Sequence, residues 1–204
     1  MNNKELCIKS NNAVFNGFFQ VNNLKFTHSL YQGGLSSVVE REVFSRGEAV
    51  VVLLYDLALE KIVLVEQCRA GAVEHALKDN KIDQAWLLEP VAGMIDLGES
   101  PIEACIRESK EETGLAVSDL EYISHFYPSP GACDEILHLY ASNIDSQLVN
   151  SHAGLATEDE DIRVVVLSFE QARKMLAKGQ FNVATTYIAV QWLFYQKLAM
   201  PEYQ

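Results

Sequence analysis

Apolar and polar positions alternate through the first forty-odd residues, in VFNGFFQV, LKFTHSLYQ and SSVVEREVF. A period of two, broken by Asn and Gly turns, predicts several short strands. This segment holds few large aliphatic side chains, so it is expected to pack on the rest of the chain or on another subunit. Two richer strands follow over 48–55 and 61–67, with a turn over 56–60. The stretch 70–85 is polar and mixed and reads as an insertion loop or a short helix. WLLEPVAG (86–93) is a further strand, bent or at an edge because Pro90 has no N–H to donate. Ser100-Pro101-Ile102-Glu103 starts a helix: Ser100 caps, Pro101 suits the first helical position, and Glu103 completes a capping box. Gly114 stops it. Strands are expected over 121–126, 136–141 and 163–167. Ser168 with Gln171 caps the next helix, and Asn182 caps the last, which runs to about 199. This order predicts a mixed α/β sandwich rather than a doubly wound parallel sheet.

At 204 residues the chain is long enough for a substantial core. Its net charge of −12 argues against nucleic-acid binding through a broad basic face. An anionic small substrate remains compatible, provided that a metal ion or a few Arg reverse the local sign. The four cysteines, at 7, 68, 105 and 133, form neither CxxC nor a Cys/His cluster, so free thiols in a reducing compartment are expected. The N-terminus has no signal-peptide apolar region, and the longest apolar run, 49–55, is too short to span a bilayer. A cytoplasmic protein without membrane or nucleic-acid partners is the expectation. The five His show no metal-protease or triad spacing, and Cys105 reads as a packed thiol.

The informative segment begins at Gly93, reaches Glu99 after five residues, and after seven more reads Arg107-Glu108-Ser109-Lys110-Glu111-Glu112-Thr113-Gly114-Leu115. On a helix Glu108, Glu111 and Glu112 share one face, where they repel one another unless a cation sits between them. Hard divalent cations prefer such oxygen ligands and share them with phosphates, so Mg²⁺ or Mn²⁺ suits the trio. Arg107 can pair with Glu99 and hold the preceding loop on the helix. An acidic helix face alone is an ordinary solvated surface; the frame of Gly93, Glu99, the capping box and Gly114 sets this one apart.

That frame resembles the Nudix box, G-x5-E-x7-R-E-U-x-E-E-x-G-U with U a bulky aliphatic, with one departure, Ser109 at the first U. The resemblance extends to the ADP-ribose pyrophosphatase branch over nearly the whole chain, through EVFSRGEAVVVL, VLVEQCR, WLLEPVAGMI, SPGACDE, HAGLATEDEDIRV and ATTYIAVQWL, with Pro130 sixteen residues beyond Gly114. It implies an α/β/α sandwich around a mixed sheet over 45–204, preceded by a β-rich segment, 1–44, that exchanges strands in a homodimer. It implies that Glu108 and Glu112 bind metal with help from Glu111 and the Ala92 carbonyl. Gly93, Glu99, Arg107 and Gly114 shape the box. The catalytic base would be Glu158, in the acidic loop 157–161, with Glu160 also near the metal. Phe18 would stack on adenine, Arg41, Glu42 and Arg69 would contact substrate, and Glu135 the terminal ribose. The segment 70–85 is longer than the branch leads one to expect.

The expected activity is Mg²⁺-dependent hydrolysis of ADP-ribose to AMP and ribose 5-phosphate. Two alternatives stand beside it: a hydrolase of another nucleoside diphosphate sugar such as GDP-mannose, and a non-catalytic ADP-ribose sensor. The intact acidic residues of the box and the lack of an attached basic DNA-binding segment disfavour the sensor.

Overall fold

The computed structural model describes residues 4–155, 157 and 159–199. The chain divides into two compact units, one of residues 1–48 with 126–136 and the other of 49–125 with 137–204.

The first unit is built on a three-stranded antiparallel sheet of β1 (Leu6–Asn16), β2 (Gln20–His28) and β3 (Val39–Ser45), in that order. The strands are longer than the sequence pattern suggests. β1 keeps pairing with β2 through two register shifts, between Ile8 and Ser10 and between Ala13 and Phe15, so bulges absorb its broken alternation. Within this unit the segment 126–136 joins β3: the Phe44 N–H donates to Ala132 O and the Asp134 N–H to Phe44 O.

The second unit holds β4 (Glu48–Asp56) to β11 (Ile162–Ser168) in an eight-stranded sheet with the path β10-β11-β5-β4-β9-β8. β4 and β5 (Lys61–Cys68) are buried on both faces, which explains their unbroken apolar runs. Val50, Val52, Leu54, Val63 and Val65 pack with Ala104 and Cys105 of α2 (Pro101–Thr113). From the opposite face of β4, Tyr55 meets Trp192 of α4 (Ala184–Trp192) edge to face. Helices thus cover both faces, as the expected α/β sandwich requires.

Pro90 divides WLLEPVAG into two strands with different neighbours. β6 (Trp86–Glu89) pairs with β5, and β7 (Val91–Met94) pairs with β4. The stretch 70–85 forms α1 (Ala70–Lys78) and a 3₁₀ turn, Ile82–Ala85. β8 (Leu120–Phe126) and β9 (Ile136–Asn143) lie near their expected places, and a two-residue strand β10 (His152–Ala153) had no sequence signal. Ser168 and Gln171 form the expected capping box on α3 (Phe169–Ala177). Asn182 does not cap the last helix: Val183 occupies that position, with no side-chain cap. Beyond α4 the chain widens into a π-helical turn, Leu193–Lys197. No helix among the described residues is long and apolar enough to cross a membrane.

Candidate active site

The helix that carries the carboxylates is fixed at both ends by its own sequence. The Ser100 side chain accepts the Glu103 N–H, and Glu103 Oε2 accepts the Ser100 N–H at 2.8 Å. The Ser100 hydroxyl also donates to Glu103 Oε2, at 2.6 Å, and this bond together with that from the Ser100 N–H draws the Glu103 carboxyl below its usual range. Gly114 ends the helix in the left-handed region, at φ +78°, where a side chain would be strained.

Arg107 ties the loop before the helix to the helix itself. Its Nε and Nη2 donate to the two carboxylate oxygens of Glu99, each at 2.9 Å, and Nη2 also donates to Met94 O at 2.9 Å. Nη1 donates to Glu108 Oε1 at 2.5 Å and to Glu111 Oε2 at 3.1 Å. A planar fork with several donors suits such a hub. Hydrogen bonding to Arg107 holds Glu99 below the usual carboxylate range.

Glu108 lies against Gly93: a Cβ there would fall 1.9 Å from Glu108 Oε1. Any larger residue at 93 would displace that carboxylate. Glu112 is only 2% exposed and accepts the Ala92 N–H through Oε2 at 3.2 Å. β7 therefore reaches the helix through backbone at Ala92 and through a missing side chain at Gly93. Burial raises the affinity of both carboxyls for protons. For Glu108 the Arg107 contact opposes that effect, while Glu111 and Glu160 add to it. For Glu112 the shift is larger, and the Ala92 N–H and the Arg69 charge only partly offset it.

These observations fit a hard divalent cation. The donors are all oxygen, the partly buried negative charge exceeds what Arg107 neutralises, and the Gly93 cradle leaves the Glu108 carboxylate room. Among the described residues no three acidic, His or Cys side chains lie close enough together to hold a metal ion as they stand. Here Arg107 bridges Glu108 and Glu111.

The remaining expected residues distribute over the two units. Arg69, in the second unit, caps α1 without a side-chain bond and donates from Nε to Glu89 Oε2 at 2.6 Å. Glu160 Oε2 accepts the Leu155 N–H at 3.4 Å. Glu158 lies outside the described residues. In the first unit Phe18 is 90% exposed and meets Phe19 edge to face. Arg41 and Glu42 lie exposed on β3, opposite Leu24 and Asn23. Glu135 pairs with Arg46 at 3.2 Å.

Sequence reasoning passed over Glu89 and Arg46. Glu89 had a readable signal, an acidic residue ending the otherwise apolar WLLE. Arg46 stacks on Phe19 at 4.9 Å, its backbone N–H donates to Asp134, and its buried Nε has no partner among the described groups. The bond to Asp134 joins positions 88 residues apart in sequence, so spacing gave no hint of it. Ser109 is fully buried, and its hydroxyl likewise finds no partner among the described groups. The departure from the box at this position thus places a polar atom in the core. Cys105 is also buried, which pushes its thiol up to about 12 and keeps it an inert packing group.

The NUDIX domain model matches residues 45–187. The chain is 37% identical over 190 residues to an ADP-ribose pyrophosphatase of Haemophilus influenzae, covering 93% of this chain and 86% of that one. A GDP-mannose pyrophosphatase of an Enterobacter species is 35% identical over 156 residues, covering 76% and 77%. The fold is similar to that of a solved ADP compounds hydrolase, with a TM-score of 0.68 at 21% identity over 95% of this chain and 94% of that one.

Proposed function

The chain belongs to the NUDIX domain family, and from that premise we propose that it hydrolyses the pyrophosphate bond of ADP-ribose, giving AMP and ribose 5-phosphate. The observation that carries this reading is the helix face of Glu108, Glu111 and Glu112, locked to its loop by Arg107 and Glu99. Preference for ADP-ribose over GDP-mannose is supported by the broader and stronger similarity to the ADP-ribose pyrophosphatase.

Glu108 and Glu112, assisted by Glu111, Glu160 and the Ala92 carbonyl, would hold a divalent cation, Mg²⁺ by preference and Mn²⁺ in its place. Such a cation neutralises phosphate oxygens and lowers the pKa of water. The chain's own residues supply the rest. Gly93 leaves room for the Glu108 carboxylate, and the Ala92 N–H orients Glu112. Arg69 offers a guanidinium to a phosphate, held in direction by Glu89. Glu158 takes the proton of the attacking water; its support is its place in the acidic loop 157–161. Phe18, Arg41, Glu42 and Glu135 serve the nucleoside and ribose ends. Phe18 offers an exposed aromatic face for a base. We assign a homodimer, supported by the exposed apolar side chains of the β1–β3 sheet. A reducing cytoplasm agrees with four unpaired thiols.

Turnover of ADP-ribose and GDP-mannose, each with Mg²⁺ and with EDTA, tests the reading. AMP release from ADP-ribose that EDTA abolishes is the expected result. Faster turnover of GDP-mannose would replace the substrate, and activity surviving EDTA would remove the metal.

A further inference from the structure

The last turn of α2 is completed by a loop distant in sequence. The carbonyls of Glu111 and Thr113 lie where the helix has no further N–H to offer. The Gly154 N–H donates to Glu111 O at 3.2 Å, and the Asn150 N–H donates to Thr113 O at 2.9 Å. The Asn150 amide also packs on the helix stop, since a Cβ on Gly114 would lie 2.1 Å from Asn150 Nδ2. The segment 150–154 is thereby stapled to the helix that carries the box carboxylates.

Gly154 has φ +100°, a backbone conformation that residues with side chains rarely adopt. A Cβ there would meet Glu160 O at 2.8 Å and Glu160 Cβ at 3.0 Å. Leu155 and Glu160 close the same turn from both sides: the Glu160 N–H donates to Leu155 O at 3.2 Å, and Glu160 Oε2 accepts the Leu155 N–H. The Glu160 charge acts on both Glu108 and Glu112. One small residue thus bonds to the catalytic helix and backs directly onto an acidic residue of the loop.

We propose that Gly154 is a positioning residue of the acidic site. By bonding Glu111 O and carrying no side chain, it holds the Glu160 backbone close beside the helix that carries the box carboxylates. The inference rests on reading these carboxylates as a divalent-cation site, and not on which nucleoside diphosphate sugar is hydrolysed.

The test uses the full chain with Mn²⁺ alone as the probe, free Mn²⁺ being followed by electron paramagnetic resonance. The variants are Gly154→Ala, Glu160→Gln and the two combined. Gly179→Ala is the control, since Gly179 also has positive φ but nothing near its missing side chain. Gly154→Ala should weaken Mn²⁺ binding about tenfold or more, the usual cost of disturbing a group that orients metal ligands. Glu160→Gln should do the same, and the double variant should be no weaker than Glu160→Gln alone, because both changes remove one interaction. Gly179→Ala should stay within about twofold of the parent, whatever its melting temperature. Folded Gly154→Ala that binds Mn²⁺ like the parent, or losses that multiply in the double variant, would overturn the proposal. If Gly154→Ala does not fold, Glu160→Asp decides: it withdraws the carboxylate from a fixed backbone and should lose a similar factor, and unchanged binding would sink the idea. A parent that binds Mn²⁺ but leaves ADP-ribose intact refutes the substrate alone, and the Mn²⁺ comparison still decides Gly154. A parent that binds no Mn²⁺ overturns the metal reading and this inference together.

Discussion

Glu108 is placed by two features of opposite kind, the Arg107 guanidinium that bonds it and the Gly93 backbone that makes room for it. The sequence marked both residues, through the local spacing of one loop and one helix, and expected Arg107 to pair with Glu99; their contacts with Glu108 were not read from it. Glu108→Gln keeps the size and one acceptor oxygen but removes the charge. It should fold normally and lose turnover by about a thousandfold or more, roughly 4 kcal/mol of barrier. Initial rates of AMP release at saturating Mg²⁺ check this, and near-parental turnover would dismiss Glu108 as a ligand. Glu158→Gln should also lower kcat strongly, yet with KM and Mg²⁺ dependence nearly unchanged, since a base acts mainly in the transition state. What the sequence did not reveal at this scale is Gly154. In HAGLA it reads as an ordinary turn, and its contacts with Glu111 and Glu160 exist only once the fold has formed.

Elements were readable where a local rule governs them. α2 carries its own capping box and stop, and Pro90 marks the break between β6 and β7. Elements set by tertiary contacts were less so: β10 is two residues long, and α4 starts at Ala184 without a side-chain cap. The turn after β4 shows what a single buried side chain does for such connections. Asp56 is 3% exposed, and its two oxygens accept the Leu59 and Ser146 N–H groups, each at 2.9 Å. Burial alone would raise its pKa, but these hydrogen bonds outweigh burial and hold it below the ordinary carboxylate value. A depressed folded-state pKa means that Asp56 stabilises the fold above its unfolded pKa. That contribution disappears as pH falls through the folded value. Asp56→Asn replaces one of these two oxygens by an NH2 group that cannot accept, so it should cost about 1–3 kcal/mol near neutrality. The gap between parent and variant should close as the pH drops below the carboxylate range. Urea unfolding at neutral and acidic pH measures it, and a gap independent of pH would show that the Asp56 charge contributes nothing.

The two units differ most in where their apolar side chains go. In the second, β4 and β5 are buried on both faces between helices. In the first, Leu6, Ile8, Val14, Phe15, Phe18, Tyr31, Leu35 and Val38 are all exposed. The scarcity of aliphatics before residue 45 was legible in the sequence; their exposure was not, because alternation marks one face of each strand without saying what covers it. Three strands without a covering layer are marginal, and so many exposed apolar side chains on β1 and the connections between the strands call for a partner. A second copy of this chain is the occupant that the homodimer assignment requires. The parent should therefore sediment at about twice 22.8 kDa at micromolar concentration. Ile8→Lys with Phe15→Lys places two charges on β1, and burying them would cost more than the contact returns. That variant should shift toward the monomer mass and, if the first unit supplies Phe18 to the substrate site, raise KM for ADP-ribose along with it. A parent that sediments as a monomer removes the dimer. A variant that becomes monomeric with KM unchanged keeps the dimer but takes the interface away from substrate binding.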